Sequence, residues 1–170
     1  MLPEYFIYLG LLANFTGGLV YLKDTLTGKA KPNRVTWLLW SIAPLVGFAA
    51  EVNKGVGLPS AMTFMIGFMP LLVFAGSFVN KKSRWKIGVF DLVCGGLSIL
   101  GLILWLLSKD ANIAIVFAIL SDSLAALPTI RKAYLYPETE SANAFWGGTI
   151  GGLLTLLTLT RFDLANLGFL

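Results

Sequence analysis

Long apolar runs separated by short polar gaps set the pattern of this chain. Six runs, 5–22, 35–52, 60–79, 87–107, 112–130 and 142–160, approach the ~20 mostly apolar residues that a spanning helix needs. The gaps hold the helix stoppers. Gly28 and Pro32 lie in the first, Gly55, Gly57 and Pro59 in the second, and Asn80-Lys81-Lys82-Ser83-Arg84 in the third. Ser108-Lys109-Asp110 forms the fourth, and Pro137 lies in the fifth. The runs are continuous rather than alternating, which predicts helices and excludes a β-barrel. The pattern therefore predicts an all-α integral membrane bundle of about six spans.

Composition sharpens this. Charged residues are 13% of the chain against 56% hydrophobic, with a mean hydropathy of +0.78. A soluble domain carries roughly 25% charged residues, so this chain cannot cover a water-facing surface. A net charge of +4 does not point to nucleic acid, because the basic residues sit in the gaps. Lys23, Lys29, Lys31 and Arg34 flank the first gap, Lys81, Lys82, Arg84 and Lys86 the third, and Arg131 and Lys132 the fifth. Only Lys54, Lys109 and Arg161 lie elsewhere. The positive-inside rule then places the odd gaps in the cytoplasm and the N-terminus outside, in a cell inner or plasma membrane. Met1-Leu2-Pro3-Glu4 lacks the basic region of a cleaved signal, so the first run is expected to be retained. With Cys94 as the sole cysteine and no histidine, a disulfide within the chain is excluded and the commonest metal and haem ligands are missing. No cofactor or metal is expected. No phosphate loop and no nucleophile–base pair is visible, so an enzyme is not expected either.

A shift of 109 residues superposes the first run and its exit on the fifth: Lys23 falls on Lys132, Leu26 on Leu135, Trp37 on Trp146 and Leu11 on Leu120. Each unit reads as an apolar helix, a basic exit, a polar loop and a Trp at the mouth of the next helix. Parallel repeats of three helices joined by an inverting helix are a transporter plan. The expected organisation is a first three-helix repeat over 1–80, a linker helix over 81–110 and an incomplete second repeat over 111–170. The shift puts Leu58 on Leu167 and Pro59 on Gly168, where a seventh helix would begin. If the chain stops at Leu170, a partner chain or a second copy must complete the unit, which makes a homo-oligomer an expected partner beside lipid.

The stretch Leu127-Pro128-Thr129-Ile130-Arg131-Lys132, followed by Glu140-Ser141-Ala142-Asn143-Ala144-Phe145-Trp146, resembles the PQ-loop superfamily, which includes the SWEET sugar transporters and lysosomal amino-acid exporters. It matches that family's Pro-Gln helix end, basic loop and start of the next helix. Thr129 stands where the family prefers Gln, and Leu19-Val20 replaces the pair in the first unit. The resemblance implies a carrier of a sugar, an amino acid or a similar polar metabolite. It also implies gating at helix prolines, for which Pro44 and Pro128 are the positions available, and a carboxylate in the fifth helix as a proton or substrate site. The alternative is a non-transporting scaffold or a subunit of a membrane complex, motivated by the loss of both full Pro-Gln pairs.

Asp122, between Ser121 and Ser123, is the sharpest candidate, since an ionisable group at mid-span costs ~2.5–3.5 kcal/mol to insert. It reads either as a site or as a buried hydrogen-bond hub. Asn14 matches Ser123 under the repeat, and Thr16 lies one step on, so two polar clusters at one depth suggest a midplane site. Helix-to-helix bonding is the alternative. Trp37, Trp40 and Trp146 read as interfacial anchors, with a substrate-contacting role, which the resemblance to the SWEETs implies, and a gate at Trp37 and Trp146 as the functional alternatives. Asn33, Arg34 and Asn143 read as an inner gate or as a surface loop with a helix cap. Gly147, Gly148, Gly151 and Gly152 form overlaid GxxxG patterns for close packing. Pro44 and Pro70 are expected to kink their helices. Asp91 is expected to pair with a basic neighbour or reach water, and Glu51 to be solvated.

Overall fold

The computed structural model describes residues 2–108 and 111–167. The gap residues Lys109 and Asp110 and the repeat position Gly168 lie outside the described residues. Among the described residues the chain is helical with no strand: α1 (Phe6–Thr27), α2 (Arg34–Asn53), α3 (Ser60–Gly76), α4 (Val89–Leu107), α5 (Ala111–Leu135), α6 (Ala142–Thr158) and the single turn α7 (Leu164–Leu167). By length and composition α1, α2 and α4 could each cross a membrane, and α3 is apolar but shorter.

The helix ends follow from local chemistry. α1 runs past its apolar stretch to Gly28, whose left-handed backbone (φ 86°) lets its N–H reach back to Asp24 O and Thr25 O. Asn33 caps α2 by accepting from Val35 N at 3.1 Å. It is a cap as expected, but it is fully buried rather than on a surface loop. α2, α3 and α5 each continue through a proline: Pro44, Pro70 and Pro128.

Packing is ordered around α1 and α2. α3 lies between them, α6 packs along α1, and α5 packs on α2 and α4. Among the described residues α5 and α6 share no extended contact. The α1–α6 seam depends on glycine. A Cβ on Gly147 would sit 2.5 Å from Ala13 O, and one on Gly151 would sit 2.7 Å from Gly10 O. Gly147 and Gly151 therefore make the close approach that the GxxxG pattern predicts. Gly148 faces elsewhere, with only Asn14 Nδ2 near its hypothetical Cβ, at 3.8 Å.

The outer faces are apolar. On α4, Val89, Leu106 and Leu107 are 78%, 69% and 72% exposed, with Leu92, Val93 and Leu100 at least half exposed beside them. A water-facing monomer rarely exposes so continuous an apolar face. The tightest polar burial is at one end, where the first, third and fifth loops converge. There Lys31 N donates to Thr139 O at 2.9 Å, Asn80 Nδ2 to Leu26 O at 2.9 Å, and Ser83 Oγ to Thr25 O. Arg34 donates from Nε to Ser77 Oγ at 2.9 Å and stacks 4.0 Å over Phe78.

Two expectations are corrected here. Glu51 is buried, not solvated, and accepts from Thr63 Oγ1 at 3.1 Å, because α3 packs back over the end of α2. Asp91 is also buried and has no ion-pair partner among the described residues. Its carboxylate instead caps α4, accepting from Gly88 N at 2.7 Å, because it sits three residues into the helix where N–H groups are free.

Candidate functional site: a polar cavity among five helices

A cavity of about 440 Å³ lies among α1, α2, α3, α5 and α6. Asn14 from α1, Asp122 from α5 and Thr149 from α6 bring polar side chains to it, beside the indole N–H groups of Trp37 and Trp40. Trp37 and Trp40 from α2, Phe145 from α6 and Met69 from α3 form the apolar walls. This volume lies within the usual range of small-molecule sites, ~300–1,000 Å³.

The polar groups are incompletely satisfied. Asn14 is buried, and its Oδ1 has no hydrogen-bond partner. Asp122 takes part in no ion pair among the described residues. Its backbone carbonyl accepts from Trp40 Nε1 at 3.3 Å, which ties the α2 wall to α5 at the depth of the carboxylate. Buried polar atoms without partners cost about 1–3 kcal/mol each. The lining thus offers the Asp122 carboxylate, with the buried and unpartnered Asn14 Oδ1, an acceptor, and Trp37 Nε1, a donor, beside it, which favours a polar guest.

The end of the cavity towards the odd loops is sealed in two layers. Nearer the cavity, Tyr21 packs on Trp37 with ring centroids 4.4 Å apart and meets Phe145 edge-on at 6.3 Å, while Trp40 meets Trp37 at 5.7 Å. Beyond it, the Tyr21 hydroxyl donates to Glu140 Oε2 at 2.6 Å. Glu140 Oε1 in turn pairs with Lys132 Nζ, which also donates to Lys31 O. The Lys132 and Glu140 side chains are 1% and 7% exposed. One buried ion pair thus joins α1, the first loop, α5 and the fifth loop.

The sequence candidates divide between the cavity and other places. Asn14, Asp122 and Trp37 share the cavity. Thr16 is exposed, with its hydroxyl turned back to Leu12 O at 2.8 Å. Ser123 is exposed and outside the lining. Ser121 is buried against α4, exchanging hydrogen bonds with Ser98: Ser98 Oγ donates to Ser121 O at 2.6 Å and Ser121 Oγ to Ser98 O at 2.7 Å. Trp146 is 67% exposed and does not reach the cavity. Pro44 is buried within α2, and Pro128 is buried within α5 beside a separate pocket. Asn143 is exposed and donates to Ser141 Oγ at 3.2 Å, apart from Asn33 and Arg34. Sequence reasoning missed the Tyr21–Glu140–Lys132 chain. A Lys and a Glu flanking Pro137 were the available signal, but their link to Tyr21 spans 119 residues of sequence.

In comparisons with known proteins, no family model, curated protein or solved structure matches the chain.

Proposed function

We propose that this chain is an integral membrane carrier for a small polar solute, a sugar, an amino acid or a similar metabolite, working by alternating access between two helical units. The observation that carries the reading is the 440 Å³ cavity, with the unpartnered Asn14 Oδ1 and the Asp122 carboxylate set among aromatic walls. A purely structural hub would bond these groups to one another or to neighbouring helices. Instead Asp122 comes from one unit and Asn14 from the other, as a site between repeats requires.

The packing supports the repeat plan of 1–80, 81–110 and 111–170. Exchanging α1 with α5 and α2 with α6 turns the α1–α6 contact into the α2–α5 contact, and both are present. α3 fills the space between α1 and α2, while no described helix takes that place between α5 and α6. α4 packs outside on α5 and α2, as a linker would. This is also the plan implied by the resemblance to the PQ-loop superfamily. The apolar outer faces support insertion of all six long helices, and the basic odd loops support an N-terminus outside. The sealed odd-loop end then reads as a closed cytoplasmic gate, with Tyr21, Trp37 and Phe145 as its inner layer and Lys132–Glu140 as its latch.

The reading is tested by titrating the protein in nanodiscs with a panel of monosaccharides and amino acids while following tryptophan fluorescence, since Trp37 and Trp40 line the cavity. A saturable change that is lost in an Asn14→Leu, Asp122→Asn variant supports a solute site. No response to any solute counts against it. A second reading, a scaffold or complex subunit, draws on the separation of α5 and α6, which leaves their facing surfaces for a partner helix. Stoichiometric recovery of a partner with a silent cavity would favour it.

A further inference from the structure

A second pocket, of about 350 Å³, lies at the odd-loop end between the entry to α4 and the end of α5, away from the solute cavity. Its lining is basic and aromatic: Lys86, Arg131 and Lys132 with Trp85, Phe90 and Tyr136. Lys132 is already neutralised by Glu140. Lys86 and Arg131 are exposed and have no carboxylate partner among the described residues. Asp91 also borders the pocket, but it is buried and engaged as the α4 cap. Counting Lys86, Arg131, Lys132, Asp91 and Glu140 together leaves one uncompensated positive charge.

We infer that this pocket holds the phosphate of an anionic glycerophospholipid of the surrounding leaflet. Three features choose lipid over a free anion. The Arg131 guanidinium lies 5.0 Å over the Phe90 ring, and both residues line the pocket. Trp85 and Tyr136 pack with ring centroids 5.5 Å apart and planes tilted by 59°, and form an aromatic wall of the kind found at headgroup level. Val89 and Leu135 of the lining are 78% and 50% exposed, an apolar rim against which acyl chains can lie. A headgroup without its own cation suits the single surplus charge, and basic pockets between helices on the cytoplasmic side are suited to anionic headgroups. The inference rests on the membrane reading and not on transport. Occupation would also brace the latch, because Lys132 Nζ lies 5.1 Å over Trp85, a wall of the same pocket.

The test uses the full chain in neutral detergent. Native mass spectrometry and thermal-shift titration compare phosphatidylglycerol, phosphatidylcholine and inorganic phosphate, on wild type, Lys86→Gln, Arg131→Gln and the double variant. Retained phosphatidylglycerol adducts are expected on wild type, with a larger thermal shift than phosphatidylcholine gives. Each single substitution should weaken phosphatidylglycerol affinity roughly fivefold and the pair about thirtyfold. Both side chains are exposed, so folding should survive, and an unchanged melting temperature without lipid checks this. Equal phosphatidylglycerol binding by wild type and double variant overturns the proposal. Equal stabilisation by inorganic phosphate overturns the lipid assignment. Failure of the membrane reading itself would show separately, as extraction of the protein from membranes by alkaline wash without detergent.

Discussion

Replacing Glu140 by Ala should destabilise the protein far more than its place in a short loop suggests. The substitution strands the Lys132 ammonium, which is 1% exposed and would keep only the Lys31 carbonyl and the face of Trp85. Breaking one side of a buried ion pair costs about 3–5 kcal/mol. The Tyr21 hydroxyl also loses its 2.6 Å acceptor, and a buried unsatisfied hydroxyl adds about 1–3 kcal/mol. The two losses share one site and do not add fully, so the expected cost is near 4 kcal/mol. Glu140→Gln retains an acceptor for Tyr21 and should lose about half as much. Lys132→Met combined with Glu140→Leu removes both charges into an apolar fit and should recover the part of the loss due to the stranded ammonium, about half, since the Tyr21 hydroxyl still lacks its acceptor. Equilibrium unfolding in mixed micelles, read by tryptophan fluorescence, measures all three. A loss under about 1 kcal/mol for Glu140→Ala would refute the reasoning. So would a double variant as unstable as the single one.

The glycine seam gives a paired test: Gly147→Ala should cost about 1–3 kcal/mol in the same assay, because its Cβ meets the Ala13 carbonyl at 2.5 Å, whereas Gly148→Ala should be near neutral. Ser121→Ala removes the bond that Ser121 Oγ donates to Ser98 O, keeps the one that Ser98 Oγ donates to the Ser121 backbone carbonyl, and should cost about 0.6 kcal/mol while leaving solute binding unchanged, which a binding titration of that variant checks.

The helices were legible because lipid-length apolar runs leave the backbone no other way to satisfy its hydrogen bonds. Their ends were less so. α1 extends to Thr27 and α5 to Leu135, past their apolar runs, where Thr25 and Lys132 are buried and bonded to loops distant in sequence, Thr25 O accepting from Ser83 Oγ and Lys132 Nζ donating to Lys31 O. Asn14 and Asp122 stood out as polar groups at one depth. Which of their neighbours shared their face did not, since residues one or two apart on a helix point in different directions. Thr16 and Ser123 accordingly turn outward, and Ser121 turns to α4. The repeat equated Trp37 with Trp146, yet Trp37 is buried and Trp146 exposed, because α3 covers α2 and no described helix covers α6 in the same way. The burial of Glu51 and Asp91 depended on contacts with α3 and on a helix cap, neither of which a hydropathy pattern encodes.

Solute uptake by proteoliposomes tests the central claim most directly. Vesicles bearing the wild-type chain, preloaded with a candidate sugar or amino acid, are assayed for counterflow of the labelled solute. Uptake above protein-free vesicles is expected for at least one solute class, lost in the Asn14→Leu, Asp122→Asn variant and retained in Thr16→Val, which changes a residue outside the cavity. Wild-type vesicles no faster than empty ones across the panel, or a double variant that transports as well as wild type, would contradict a solute site in the Asn14–Asp122 cavity.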